Sequence, residues 1–178
     1  PKTPEQLDQM VSHVRYEVMK LTWFLRIGNG WVPPIEGLPG ADVFAGESLL
    51  EAALIHIRCI AEFLRPSGRS DTIAATDYLP DWEWAERQRL TKDLKQIHGR
   101  VAHLGLVRCS VQIDGSDVDW REFLTRDGVR ILLGGVREFL AKLPAERLEQ
   151  FNQVTADDGT VVIMDLDALI AEALGSRA

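Results

Sequence analysis

Apolar residues recur along the first twenty-five positions with the rhythm of a helix. Leu7, Val11, Val14, Val18, Leu21 and Leu25 follow one another at spacings of four and three. A period near 3.5 keeps one face of a helix continuously apolar, as when helices pack nearly side by side. Thr3 is placed to cap this helix, with Pro4 at its first turn. Trp23 and Phe24 are expected to widen the apolar face at its far end, before Gly28 and Gly30 stop it. A second helix is predicted over 46–65, with Leu49, Leu50, Ala53, Leu54, Ile57, Ile60, Ala61 and Leu64 inward. Its polar residues reduce to a narrow stripe, which marks a helix central to its domain. A third is predicted over 82–104, with the seam Leu90, Leu94, Ile97, Val101, Leu104 and a C-terminal Gly105. A fourth spans about 126–143, with Val129, Leu132, Leu133, Val136, Leu140 and Leu143 inward.

The connections carry their own signals. The stretch 28–44 is rich in Gly and Pro yet apolar, so it reads as a packed crossover or a binding loop. Ser70 or Asp71 is placed to cap a short helix that Pro80 ends. Residues 107–120 alternate briefly around Asp114–Gly115, a small hairpin signal. Asp158–Gly159 lies between β-branched residues and is the better one. Gly134 and Gly135 sit mid-helix at a cost of about 1 kcal/mol each relative to Ala, which predicts a close contact or a bend there. Pro144 opens another short helix, and 165–174 closes the chain with an amphipathic one. The fold class that follows is mainly α: a helical bundle of about four to five main helices with a small β-hairpin near the C-terminus. All 178 residues are expected to form one domain.

Composition narrows the function classes. The formal charge is −7, and such a field repels phosphate, so DNA is not an expected partner. Cys59 and Cys109 sit in apolar contexts without metal-ligand spacing, and are expected to be free thiols in a reducing compartment. No apolar run approaches the roughly 18 residues a membrane span needs, so a cytoplasmic location and no membrane partner are expected.

The chemistry concentrates in "IHGRVAHLG", residues 97–105. At about 100° per residue, Arg100 and His103 are neighbours on one side of the third helix, and His98 lies on the opposite border. His98 and His103 therefore do not chelate one ion together. No HExxH, GxSxG or phosphate-cradling Gly loop occurs, and neither a metal nor a cofactor is expected. Arg87, Arg89, Lys92, Lys95 and Arg100 form a basic stripe, either a phosphate-facing ridge or an ordinary solvated face. Arg58 has Glu62 four residues on, which explains it as an ion pair. If the second and third helices pack antiparallel, His56, Arg58, Arg100 and His103 meet between them. Asp71 and Asp77 then accept from these cations. The alternative is a buried polar network that sets helix register.

The segments "LLEAALIHIRCIAEFL", "DTIAATDYLPDW" and "LKQIHGRVAHLG" together resemble uncharacterised bacterial HEPN-like helical proteins, over residues 46–105. The resemblance implies a helical bundle, commonly dimeric. For catalytic members it implies metal-independent RNA cleavage, with His as acid and base and Arg stabilising the charged phosphorane. The matching positions are Arg100 and His103, helped by His56 and Arg58, although the family pattern separates Arg from His by more than the two residues found here. Two functions are thus expected. One is a non-catalytic module that binds a partner or ligand, and the other is a HEPN-like endoribonuclease. A second copy of the chain, RNA or another protein are the partners this reading points to.

Overall fold

Thr3 begins the first helix with a reciprocal cap. Its hydroxyl accepts the Gln6 N–H at 3.3 Å, while the Gln6 side-chain oxygen accepts the Thr3 N–H at 3.0 Å. The resulting α1 (Pro4–Arg26) buries Val11, Val14, Val18, Leu21 and Leu25, the predicted seam. The structure, a computed structural model, describes residues 2–26, 41–66, 71–91, 94, 127–155 and 159–175. Trp23 departs from expectation: Phe24 is buried, but Trp23 is 62% exposed. The reason is angular, because Trp23 lies seven residues after Tyr16 and shares its outward face.

The second helix, α2 (Ala41–Leu64), starts five residues earlier than predicted. It packs against α1, against the one-turn α3 (Ala75–Tyr78) and against α4 (Asp127–Lys142). Ile57, Ile60 and Leu64 are essentially inaccessible, which fits the central position read from its composition. Asp71 does not cap α3, and Ser70 lies outside the described residues. The N-cap of α3 is Ala74, whose N–H donates to the Asp77 carboxylate at 2.8 Å.

The third long helix does not begin at Trp82. Residues 82–84 are non-helical, and helical structure resumes at 87–91. Both tryptophans are buried and plug the bundle instead. The Trp82 indole N–H donates to the Leu64 carbonyl at 2.8 Å, satisfying a terminal carbonyl of α2 that no intrahelical donor reaches. Leu90 is buried and Leu94 packs on the core, as the seam predicts. Ile97, Val101, Leu104 and the 107–120 hairpin lie outside the described residues, as does the loop before α2 up to residue 40.

From α4 the chain continues through α5 (Ala145–Asn152), β1 (Gln153–Thr155), β2 (Val161–Ile163) and α6 (Leu166–Gly175). The two strands pair antiparallel, Val154 opposite Val162, and Gly159 takes a left-handed φ of 81° in the turn between them. Asn152 ties this corner together. Its carbonyl accepts the Met164 N–H at 2.7 Å and its side-chain oxygen accepts the Leu166 N–H at 3.1 Å. The molecule is therefore mainly helical, with a small hairpin near its C-terminus, as the sequence implied.

Phe139 of α4 is the hub of the core. Its ring meets Phe63, Tyr78, Trp82 and Phe151 edge-to-face, at centroid separations from 5.1 to 6.0 Å. Each such pair contributes about 0.5–1.5 kcal/mol beyond area burial. On α1, the half-buried Arg15 guanidinium donates to the main-chain carbonyls of Gln150 and Gln153. That contact pins the end of α5 and the start of β1 to α1.

Candidate functional site

Among the described candidates, His56 is the one whose surroundings are built by two helices. It projects from α2 towards α1, and its Nδ1 lies 2.6 Å from Glu17 Oε2. Both side chains are mostly buried, at 16% and 25% exposure, so the pair is shielded from screening more than a surface ion pair is. With Glu17 ionised, the contact is a hydrogen bond in the tautomer that carries N–H at Nδ1, which donates to the carboxylate. The Tyr16 ring stands edge-on to the imidazole at 5.9 Å, and the Lys20 ammonium lies 5.3 Å from the Tyr16 ring centre.

Cys59 lies one turn beyond His56 on α2. Burial, followed by the nearby Glu17 and Glu62 carboxylates, pushes its thiol up to about 11; Arg58 opposes this only in part. A protonated thiol is a poor nucleophile. Glu17, His56 and Cys59 thus form a positioned polar cluster, without the arrangement of an activated cysteine.

The other expected residues are dispersed. Arg58 Nε donates to Glu62 Oε1 at 2.8 Å, the i to i+4 pair that the spacing implied. Asp77 caps α3 through Ala74 and does not serve His56. Asp71 is an exposed turn residue before α3. Arg89 of the basic stripe pairs with Glu86 at 2.6 Å. Arg100, His103 and His98 lie outside the described residues, with Lys92 and Lys95. Among the described residues no group of three His, Cys, Asp or Glu side chains is arranged to hold a metal ion. None of the described helices is long and apolar enough to cross a membrane.

Sequence reasoning missed Glu17 as the partner of His56. The only hint was its position, one residue before Val18 at the border of the α1 seam. It also missed where apolar side chains remain open. Six large hydrophobic residues are exposed among those described. Tyr16 and Trp23 share the outer face of α1, and Ile55 stands exposed on α2. Val161, Val162 and Ile163, the whole of β2, form a second group.

A scan against protein-family models and searches of curated proteins and of solved structures find no match to the chain.

Proposed function

We propose that this chain is a non-catalytic helical interaction module that docks a second copy of itself across the outer face of α1. The observation that carries the reading is the exposure of Tyr16 (50%) and Trp23 (62%) two turns apart on that face. Tyr and Trp are the side chains most enriched at the energetic centres of protein interfaces. Antiparallel pairing of two α1 helices about a two-fold axis sets Tyr16 of each copy against Trp23 of the other, an isologous contact. The charge on this face also suits self-association. Glu17 is held by His56, and Lys20 stands between the two aromatic residues, within reach of an indole across the axis. The free thiol of Cys59 supports a reducing, cytoplasmic setting.

The test is the solution mass of the full chain by light scattering. The expected mass is twice 20.0 kDa, that is about 40 kDa. Tyr16→Ser with Trp23→Ser removes both symmetry-related Tyr16–Trp23 contacts, about 2 kcal/mol each, so the dissociation constant rises roughly a thousandfold. A wild-type chain that stays monomeric up to its solubility limit defeats the reading, as does a dimer that survives the double substitution. The RNA-cleaving alternative rests on Arg100 and His103. Of its two expected helpers, His56 is bonded by Glu17 through Nδ1 and Arg58 by Glu62, and Arg100 and His103 lie outside the described residues. It requires metal-free RNA cleavage that Arg100→Ala and His103→Ala each abolish.

A further inference from the structure

The second exposed apolar group has a different chemistry from the first. Successive side chains of a strand point to opposite faces. Val161, Val162 and Ile163 are 54%, 48% and 66% exposed, so both faces of β2 are open. Among the described residues the sheet has two strands, and β2 pairs only with β1, through three consecutive registers without a bulge. Edge strands are normally protected by Lys, Pro, a bulge or a covering element. β2 has no such residue and no bulge; it presents three β-branched side chains, the residue type best suited to pairing with another strand.

Charge decides what kind of strand fits. Between Arg147 and Arg177 the chain carries six carboxylates and no Lys or Arg. Two of them, Asp167 and Glu172, are paired with Arg137 and Arg26 from other helices, so the acidic excess comes from Glu149, Asp157, Asp158 and Asp165. Pairing β2 with a second copy brings two such segments together, doubles that excess and buries only a three-residue edge. That area is far below the roughly 1,200 Å² of a stable protein interface. A short peptide with basic flanks meets the same three-residue edge and so binds weakly, but it avoids the charge conflict, because its charges complement the segment while its main chain supplies the hydrogen bonds.

We propose that β2 receives an extended apolar peptide with Lys or Arg at its flanks, added antiparallel as the third strand of the sheet. This is independent of the α1 dimer, because a different surface carries it. The test uses the full chain and three fluorescent peptides, read by anisotropy. They are Lys-Lys-Val-Thr-Val-Thr-Lys-Lys, the same core flanked by Glu, and the Lys-flanked peptide N-methylated at alternate residues. The Lys-flanked peptide is expected to bind, and to weaken by about tenfold or more as salt rises from low to high ionic strength. The Glu-flanked and N-methylated peptides are expected not to bind. Val161→Lys with Ile163→Lys is expected to abolish binding while circular dichroism stays unchanged, and Tyr16→Ser with Trp23→Ser is expected to leave it intact. Equal binding of the Glu-flanked peptide refutes the charge argument, and equal binding of the N-methylated one refutes strand addition without recourse to any variant. No binding by the Lys-flanked peptide overturns the proposal, as does its retention by the β2 variant. A dimer that the β2 substitutions dissociate assigns the edge to a second copy and overturns the proposal too.

Discussion

Gly134 and Gly135 are adjacent in α4, yet alanine should have opposite effects at the two sites. A Cβ built on Gly134 meets nothing within 4 Å, so Gly134→Ala exerts only its backbone effect. That effect stabilises the helix by about 0.5–1 kcal/mol, because alanine loses less conformational freedom on folding. A Cβ built on Gly135 lies 2.6 Å from the Trp84 indole nitrogen, 3.1 Å from its Cε2 and 3.0 Å from Leu64 Cδ1. Real carbon contacts settle near 3.5–4.0 Å, so the indole must retreat by about an ångström. Trp84 is 5% exposed and Leu64 is fully buried, which leaves neither an easy path. Overpacking of this kind costs about 1–3 kcal/mol. Set against the same backbone gain, the net effect of Gly135→Ala is a loss of up to about 2 kcal/mol, and the two variants differ by about 1–3 kcal/mol.

Urea denaturation followed by circular dichroism measures both variants, with the slope of the transition compared first so that a midpoint shift reads as stability. For a chain of this length 1 kcal/mol corresponds to about 2–4 °C in melting temperature. Among the described residues the buried Trp84 indole N–H has no hydrogen-bond partner, so packing on Gly135 holds the ring there. Trp84→Phe removes the nitrogen that the new Cβ would strike, and in that background the penalty of Gly135→Ala should shrink. Should Gly135→Ala prove as stabilising as Gly134→Ala, the packing of Trp84 on α4 is wrong. If its penalty is the same with Phe at 84, the indole is not the obstacle.

Three further outcomes are expected. In a Cys109→Ser background, alkylation of Cys59 should be slow near neutrality and rise with pH towards a midpoint near 11; a midpoint at the ordinary thiol value would remove the burial and carboxylate effects assigned to it. The Arg137 guanidinium bonds both oxygens of the Asp167 carboxylate, at 2.6 and 3.0 Å, and holds it below its usual range. The folded value is depressed, so the stabilisation is present above the unfolded carboxylate pKa and is lost as pH falls through the folded one. The carboxyl carbon shift of Asp167 should report a low midpoint that rises in Arg137→Gln, and no rise would show the pair to be idle. For the Glu17–His56 contact, a double-mutant cycle with Glu17→Ala and His56→Ala should give a coupling of about 1 kcal/mol, and additive single effects would contradict the contact.

Helical periodicity was readable because it is a property of neighbours along the chain. The spacing of Leu7 to Leu25 placed the buried face of α1, and Asp158–Gly159 located the hairpin. Trp82 shows where that reading stops. It continues a plausible helical pattern, but its indole is drawn to the free carbonyl at the end of α2, eighteen residues back, and the helix starts later. Trp23 and Phe24 show the same limit at finer scale, since neighbouring aromatic residues differ by about 100° around the axis and only the position of α2 decides which is covered. The candidate site was legible in part. His56 was recognised as a residue needing a partner, while Glu17, thirty-nine positions away, carries no local mark as that partner.

Local order along the chain was sufficient to establish a mainly helical protein with a C-terminal hairpin, the Thr3 cap of its first helix and the buried faces of α1 and α4, because those depend on residues within a turn or two of one another. Which side chain answers His56, which tryptophan seals the bundle against Gly135, and which apolar residues stay in the open were decided only when distant segments came together. A hydrogen-bond partner or a covering neighbour is chosen by proximity in space, and proximity between segments dozens of residues apart is set by packing rather than by any repeat in the sequence.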